Sequence, residues 1–222
     1  MAASLLPYVN ALPNGFTLDD NGLILQNEAV AGFDIVTFFS QDYWSGHDAS
    51  TESGLYRPLT LTSFAAEYAL FGQQSLPYHL TNLLLHLVVT LLAWRLLCRI
   101  AGDEVGLWGA AVFAVLPGHS EAVIAVAGRA DLLAAAGSLA ALCIWHREGG
   151  WKRWITGGAC FALALLAKEQ AVVVPGLLLA LVWLRLQRDG RRFCWQPPAV
   201  SVLVLLVYLF LAVRSSRRGC RC

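Results

Sequence analysis

Charge is scarce in this chain of 222 residues: Asp, Glu, Lys and Arg make up 14% of it, while hydrophobic residues reach 57% and mean hydropathy is +0.57. Soluble domains carry roughly 25% charged residues, so a water-soluble globule is excluded as the first reading. Basic residues are nearly missing from the first third, where Met1 to His79 holds Arg57 and, histidine aside, no other cation. A net charge of +1 without a basic amphipathic stripe argues against nucleic acid as a partner. The six cysteines (Cys98, Cys143, Cys160, Cys194, Cys220 and Cys222) lack the paired spacing of a zinc site, and most lie in or beside apolar runs as packing residues. A secretory signal is not legible either, because Met1 to Val9 has no charged n-region and Pro7 interrupts its short apolar stretch.

What remains is a series of apolar runs: Leu80 to Cys98, Val105 to Leu116, Ala130 to His146, Trp154 to Ala167, Ala171 to Leu186 and Pro198 to Val213. They predict an all-α polytopic membrane protein with about six spans. Only the first approaches the ~20 apolar residues that cross ~30 Å of hydrocarbon, so the others recruit polar ends or thin the bilayer. Read instead as buried core helices, Val105 to Leu116 and Trp154 to Ala167 would not cross at all.

Lys and Arg near span ends stay on the cytoplasmic side. Arg95 and Arg99, then Arg147, Lys152 and Arg153, then Arg185, Arg188, Arg191 and Arg192 mark alternate connections as cytoplasmic. Met1 to His79 is then outside, together with the loops around His119 to Asp131 and Lys168 to Gln170. The tail, with Arg214, Arg217, Arg218 and Arg221, falls outside against the rule. The chain divides accordingly into 1–79, an outer loop region; 80–213, the membrane helices; and 214–222, a basic tail foreign to the rest.

Within the outer region, Ala11 to Gly22 is rich in turn formers, Asn27 to Phe39 suits one short helix, and Gln41 to Gly54 reads as a solvated loop. Leu59 to Leu70 has the spacing of an amphipathic helix lying on the membrane, with Pro58 in its first turn. Ala130 with Ala134 and Ala136 with Ala140 stand four apart, a spacing that lets membrane helices approach closely. Asp19 and Asp20 stand side by side ahead of all this, a paired carboxylate at a bilayer surface.

Asn14-Gly15-Phe16 with Asp19-Asp20-Asn21, followed by Tyr56-Arg57-Pro58-Leu59-Thr60, resembles the first luminal loop of the transmembrane and tetratricopeptide-repeat O-mannosyltransferases. Tyr78-His79-Leu80, Asn82-Leu83-Leu84-Leu85-His86, His119-Ser120-Glu121-Ala122-Val123, Gly128-Arg129-Ala130-Asp131-Leu132-Leu133 and Lys168-Glu169-Gln170 continue the likeness in order. No single tripeptide is specific; their register over about 160 residues is. The resemblance implies a C-type glycosyltransferase helix bundle with a luminal N-terminal loop region, in the endoplasmic reticulum membrane. It also implies transfer of mannose from dolichyl phosphate mannose to protein Ser or Thr. Two departures stand out: the sequence shows neither the helix that members carry before Asn-Gly-Phe nor their later repeats, and Leu116 precedes Pro117 where the family often has His.

Such a transfer needs a carboxylate to take the hydroxyl proton, and Asp19 or Asp20 fits that task. Adjacent carboxylates repel, which raises one toward base work. The bland reading is a turn, since Asp and Asn bond their own backbone. The departing lipid phosphate needs cations, for which Arg57, Arg129 and Lys168 are the outer-face candidates. Against this, Arg129 suits a snorkelling residue paired with Asp131 or Glu121, and Lys168 an exposed helix end. His79, His119 and Glu121 are candidates for orienting donor or acceptor. No cofactor and no metal is expected, the donor lipid being a substrate. The competing reading is a non-catalytic polytopic fragment or adaptor; a transporter fits less well, because the charges gather at one side.

Overall fold

A computed structural model describes residues 6–44, 53–146, 150–189 and 196–219. Arg147, Arg191, Arg192, Cys194, Cys220, Arg221, Cys222 and much of the Gln41 to Gly54 loop lie outside the described residues. Among the described residues every regular element is helical.

A 3-10 turn at Leu6–Ala11 and a π-helical turn at Asn21–Leu25 precede two short helices, α1 (Glu28–Ala31) and α2 (Ile35–Ser40). The single helix expected over Asn27 to Phe39 is thus two. Each has its own cap: Asn27 Oδ1 accepts from Val30 N at 3.1 Å, and Asp34 Oδ1 from Thr37 N at 3.1 Å. Gly32 and the left-handed Phe33 (φ 54) separate them. A side-chain oxygen that accepts from the backbone N–H three residues on favours a helix start, and the chain offers two here.

Helix α3 (Pro58–Phe71) begins at the expected proline and ends at Gly72, which adopts φ 59. It does not float on the membrane as an amphipathic ribbon. Its polar Thr60 and Glu67 are buried along with Leu61, Phe64 and Ala65, while Leu70 and Phe71 are exposed. Leu61, Phe64 and Ala65 share one core with Leu23, Ile24, Val30 and Phe38 from the start of the chain and with Tyr78 and Val126 from the bundle. The outer region therefore packs onto the bundle as a continuation of it.

Helix α4 (Ser75–Ala101) and α5 (Asp103–Val115) form a hairpin turned by Gly102 at φ 92, a conformation that glycine adopts without strain. A Cβ at Gly106 would come within 2.7 Å of Cys98 N, so only glycine permits this approach. The bend at Pro117–His119 leads to α6 (Ser120–Ile124), and then α7 (Arg129–Trp145) and α8 (Trp151–Ala167) pack antiparallel. They approach closely at Gly137, where a Cβ would meet Cys160 O at 2.8 Å. A 3-10 turn at Glu169–Val173 opens α9 (Val174–Asp189), and α10 (Gln196–Gly219) closes the bundle. The main apolar core joins α7 to α10 through Ala141, Leu142, Phe161, Ala164, Leu165, Val174, Leu178 and Tyr208. The outward faces of α9 and α10 expose Leu177, Trp183, Leu203, Leu206 and Phe210, as helix faces toward lipid do.

Among the described residues three helical stretches are long and apolar enough to cross a membrane: Ser75–Ala101, Glu169–Arg188 and Gln196–Ser215. A fourth results if Asp103–Val115 and Pro117–Ile124, bent by 54°, act as one broken span. Three to four by this measure is fewer than the six expected. Helices α7 and α8 have 17 residues each, about 26 Å at 1.5 Å per residue, short of the ~30 Å hydrocarbon core.

Candidate functional site

Helix direction fixes which ends meet. Arg129 at the start of α7 reaches Asn82 near the start of α4, whereas Arg99 near the end of α4 bonds Cys143 O near the end of α7 at 2.7 Å. Lys168, just past α8, returns to Asp131 on the first turn of α7. The residues expected to do chemistry therefore gather at one end of the bundle, with the N-terminal region packed over it.

At that end the chain breaks between α8 and the turn that opens α9. Lys168 is extended (φ −158, ψ 138), and an extended backbone sends successive side chains to opposite sides. Lys168 and Glu169 consequently engage different partners. Lys168 Nζ donates to both oxygens of Asp131 at 2.8 Å. Arg57 Nε and Nη2 donate to Glu169 Oε2 and Oε1 at 3.0 and 2.6 Å, the bidentate fork that a guanidinium makes best. The four groups alternate in sign. The side chains are 13% exposed at Arg57, 15% at Lys168, 36% at Asp131 and 42% at Glu169, so the carboxylates face outward over the cations.

Burial pulls the Arg57 guanidinium down, and its bonds to Glu169 more than offset this, leaving it raised and firmly charged. Its cationic centre lies 5.1 Å from the centroid of the buried Tyr43 ring. Burial pushes the Tyr43 phenol well above its usual value.

The two aspartates are not equivalent. Asp20 is 1% exposed, and its carboxylate accepts from Thr17 N at 3.0 Å, Thr17 Oγ1 at 3.3 Å and Ala127 N at 2.7 Å. It fastens the N-terminal turn to the loop before α7. Asp19 is exposed and takes part in no hydrogen bond or ion pair among the described residues. It follows Leu18, which is 89% exposed and holds a left-handed φ of 37.

Arg129 does not meet the expectation of an outer phosphate ligand. It is 1% exposed, with Nη1 2.6 Å from Glu67 Oε2, Nε donating to Asn82 Oδ1 at 3.1 Å and Nη2 donating to Tyr78 O at 3.1 Å. Its guanidinium centre lies 4.8 Å from the Phe64 ring centroid and 5.6 Å from that of Tyr78. Glu67 in turn accepts from Thr81 Oγ1. Such a group joins α3, α4 and α7, and its partner is Glu67 where sequence spacing pointed to Asp131 or Glu121. Glu67 was missed because nothing local marks it; it is one acid on a helix whose polar side turns out to be inside.

Among the described residues no hydrogen bond or ion pair joins His79, His119 or Glu121 to the ion-pair quartet. His79 is 1% exposed, and neither ring nitrogen has a hydrogen-bond partner among the described residues. His119 packs against Phe113 (ring centroids 4.4 Å apart) and His86 (5.8 Å), and Glu121 is exposed on α6. Among the described residues no group of three or more His, Cys, Asp or Glu is placed to hold a metal ion.

Comparison with known proteins gives this site a context. The family described as dolichyl-phosphate-mannose-protein mannosyltransferase matches residues 58–215. The chain is 35% identical over 180 residues to Protein O-mannosyl-transferase TMTC3 of Mus musculus, covering 77% of this chain and 19% of that protein. It is 33% identical over 181 residues to Protein O-mannosyl-transferase F38B6.6 of Caenorhabditis elegans, covering 78% and 26%. With Protein O-mannosyl-transferase Tmtc2 of Drosophila melanogaster it shares 37% over 179 residues, covering 74% and 19%. The chain thus spans about a fifth to a quarter of the length of these curated relatives. No solved structure matches it. The chain belongs to the dolichyl-phosphate-mannose-protein mannosyltransferase family.

Proposed function

From that membership we propose that this chain forms the membrane-embedded catalytic part of a protein O-mannosyltransferase. It takes mannose from dolichyl phosphate mannose and gives it to Ser or Thr of an acceptor protein at the luminal face of the endoplasmic reticulum membrane. The observation that supports the reading is the contrast within the doublet: Asp20 accepts from Ala127 N, four residues before the Asp131 that holds Lys168, while the adjacent Asp19 is left exposed.

In this scheme the acceptor hydroxyl oxygen attacks C1 of mannose while Asp19 takes its proton, and the bond from C1 to the phosphate oxygen breaks. The leaving dolichyl phosphate gains negative charge, which Arg57 or Lys168 stabilises. Both cations are held by carboxylates that stand more exposed than they do. A phosphate arriving from the membrane side therefore exchanges with Glu169 or Asp131, and the cations reach it already charged and oriented. Asp20 and Arg129 hold the walls and stay out of the chemistry.

The test is transfer of radiolabelled mannose from dolichyl phosphate mannose to acceptor protein in membranes expressing the protein. Asp19→Asn is expected to lower transfer by roughly 10²–10⁴-fold, the usual worth of a general base, with membrane insertion unchanged. Undiminished transfer removes Asp19 as the base. Absence of transfer in the unaltered protein favours the non-catalytic adaptor.

A further inference from the structure

The stretch Gln41 to Gly54, whose composition suits a solvated loop, contributes one residue that is not solvated. Tyr43 is 3% exposed and shares a core with Leu23, Ile24, Phe38, Leu61 and Phe64. Its backbone is held from both sides. Tyr43 N donates to Leu55 O at 2.9 Å, and the Asp42 carboxylate accepts from Trp44 N at 2.9 Å, Leu55 N at 2.9 Å and Ser53 Oγ at 3.0 Å. An aspartate that bonds the backbone two residues on fixes a turn, and here the same carboxylate ties residues 42–44 to 53–55.

The ring placed in this way has the Arg57 guanidinium centre 5.1 Å from its centroid, inside the ~6 Å over which an aromatic face attracts a cation. The chain just before Arg57 is anchored as well. Tyr56 Oη donates to Phe39 O at 3.4 Å, and Tyr208 Oη of α10 donates to Tyr56 O at 3.5 Å. Arg57 therefore has two side-chain supports of different kinds. Glu169 holds it through a fork of 2.6 and 3.0 Å but is 42% exposed, whereas the Tyr43 ring is sealed in the core. A carboxylate open to water competes directly with any arriving anion. A ring face carries no net charge to be displaced, so the guanidinium can trade carboxylate for phosphate without leaving the ring.

We infer that Tyr43 is a positioning residue for Arg57, its buried ring holding the guanidinium in place while the donor phosphate takes over from Glu169. This rests on the transferase reading and adds to it the group that keeps Arg57 oriented during the exchange. With the ring present, Glu169 is dispensable for orientation and only occupies the phosphate position. Without the ring, Glu169 becomes the sole side chain that orients the cation.

Kinetics of mannose transfer in membranes expressing the whole protein decide it, read as KM for dolichyl phosphate mannose. Tyr43→Leu is expected to raise KM about threefold to tenfold, the worth of one cation–π contact. Tyr43→Phe keeps the ring and should stay within about twofold of the unaltered protein. Glu169→Gln should lower KM where Tyr43 is present and raise it in the Tyr43→Leu background. Should Tyr43→Leu not fold, Tyr43→Met fills the space with a flexible side chain and is read in its place. An unchanged KM in the ring-less variant, with only Vmax lower, marks a packing residue and overturns the inference. So does a rise in Tyr43→Phe as large as in Tyr43→Leu, or the same sign of the Glu169→Gln effect with and without the ring. Absence of transfer in the unaltered protein overturns the transferase reading and this inference with it, whereas transfer with any of the preceding results overturns this inference alone.

Discussion

Two guanidinium groups near one end of the bundle show how burial decides what an arginine can do. Arg129 lies inside the junction of α3, α4 and α7, flanked by two aromatic rings and bonded to a carboxylate, an amide and a carbonyl. Arg57 lies at the break between α8 and α9, bonded to one carboxylate that is itself 42% exposed. The first pair is a fixed joint; the second is a contact that water, and by the same route a phosphate, can reach. Two cations of one type thus separate into one sealed inside the fold and one whose partner is open to solvent.

The joint is where the largest effect is expected. Glu67→Ala leaves Arg129 charged and buried without its carboxylate, and breaking one side of a buried pair costs about 3–5 kcal/mol. Thermal unfolding in detergent should show this as a large loss of Tm or failure to recover folded protein. Replacing both partners, as in Glu67→Leu with Arg129→Met, removes the uncompensated charge and should recover most of the loss. A single variant as stable as wild type would erase the distinction between the two arginines.

The same distinction explains what the sequence made legible. Apolar runs gave the all-helical membrane fold, because composition and length decide whether a helix is favoured in lipid. Arg57 and Lys168 stood out as rare cations in an apolar setting, and both lie in the quartet. Arg129 stood out for the same reason and proved to be inside, because its partner Glu67 comes from a helix 62 residues earlier that sequence spacing laid on the membrane surface. Local pattern cannot reveal a pairing made by tertiary packing. Length and composition single out three to four crossing helices among the described residues where the apolar runs pointed to about six, because α7 and α8, which pack against each other, have only 17 residues each.

The acidic doublet offers a middle-sized test. Asp20→Asn puts an amide nitrogen against the donors Thr17 N or Ala127 N, and loss of hydrogen bonds to a charged group costs about 1.5–3 kcal/mol. Asp19→Asn touches no such partner and should leave Tm unmoved while transfer falls. Measured side by side, the pair separates stability from chemistry; a Tm loss at Asp19 equal to that at Asp20 would join them again.

The smallest effect, and the finest discrimination, is expected at Glu169→Gln. The Arg57–Glu169 pair is half open to solvent, and pairs of that kind contribute at most ~1 kcal/mol, so folding should barely change. If Glu169 holds the place that the donor phosphate takes, removing its charge leaves Arg57 easier to capture, and KM for dolichyl phosphate mannose should fall by up to about fivefold, the equivalent of ~1 kcal/mol. A purely structural pair predicts the opposite sign, because an unanchored Arg57 would lose its orientation and KM would rise. The direction of that one change therefore tells whether the open arginine differs from the buried one in function or only in exposure.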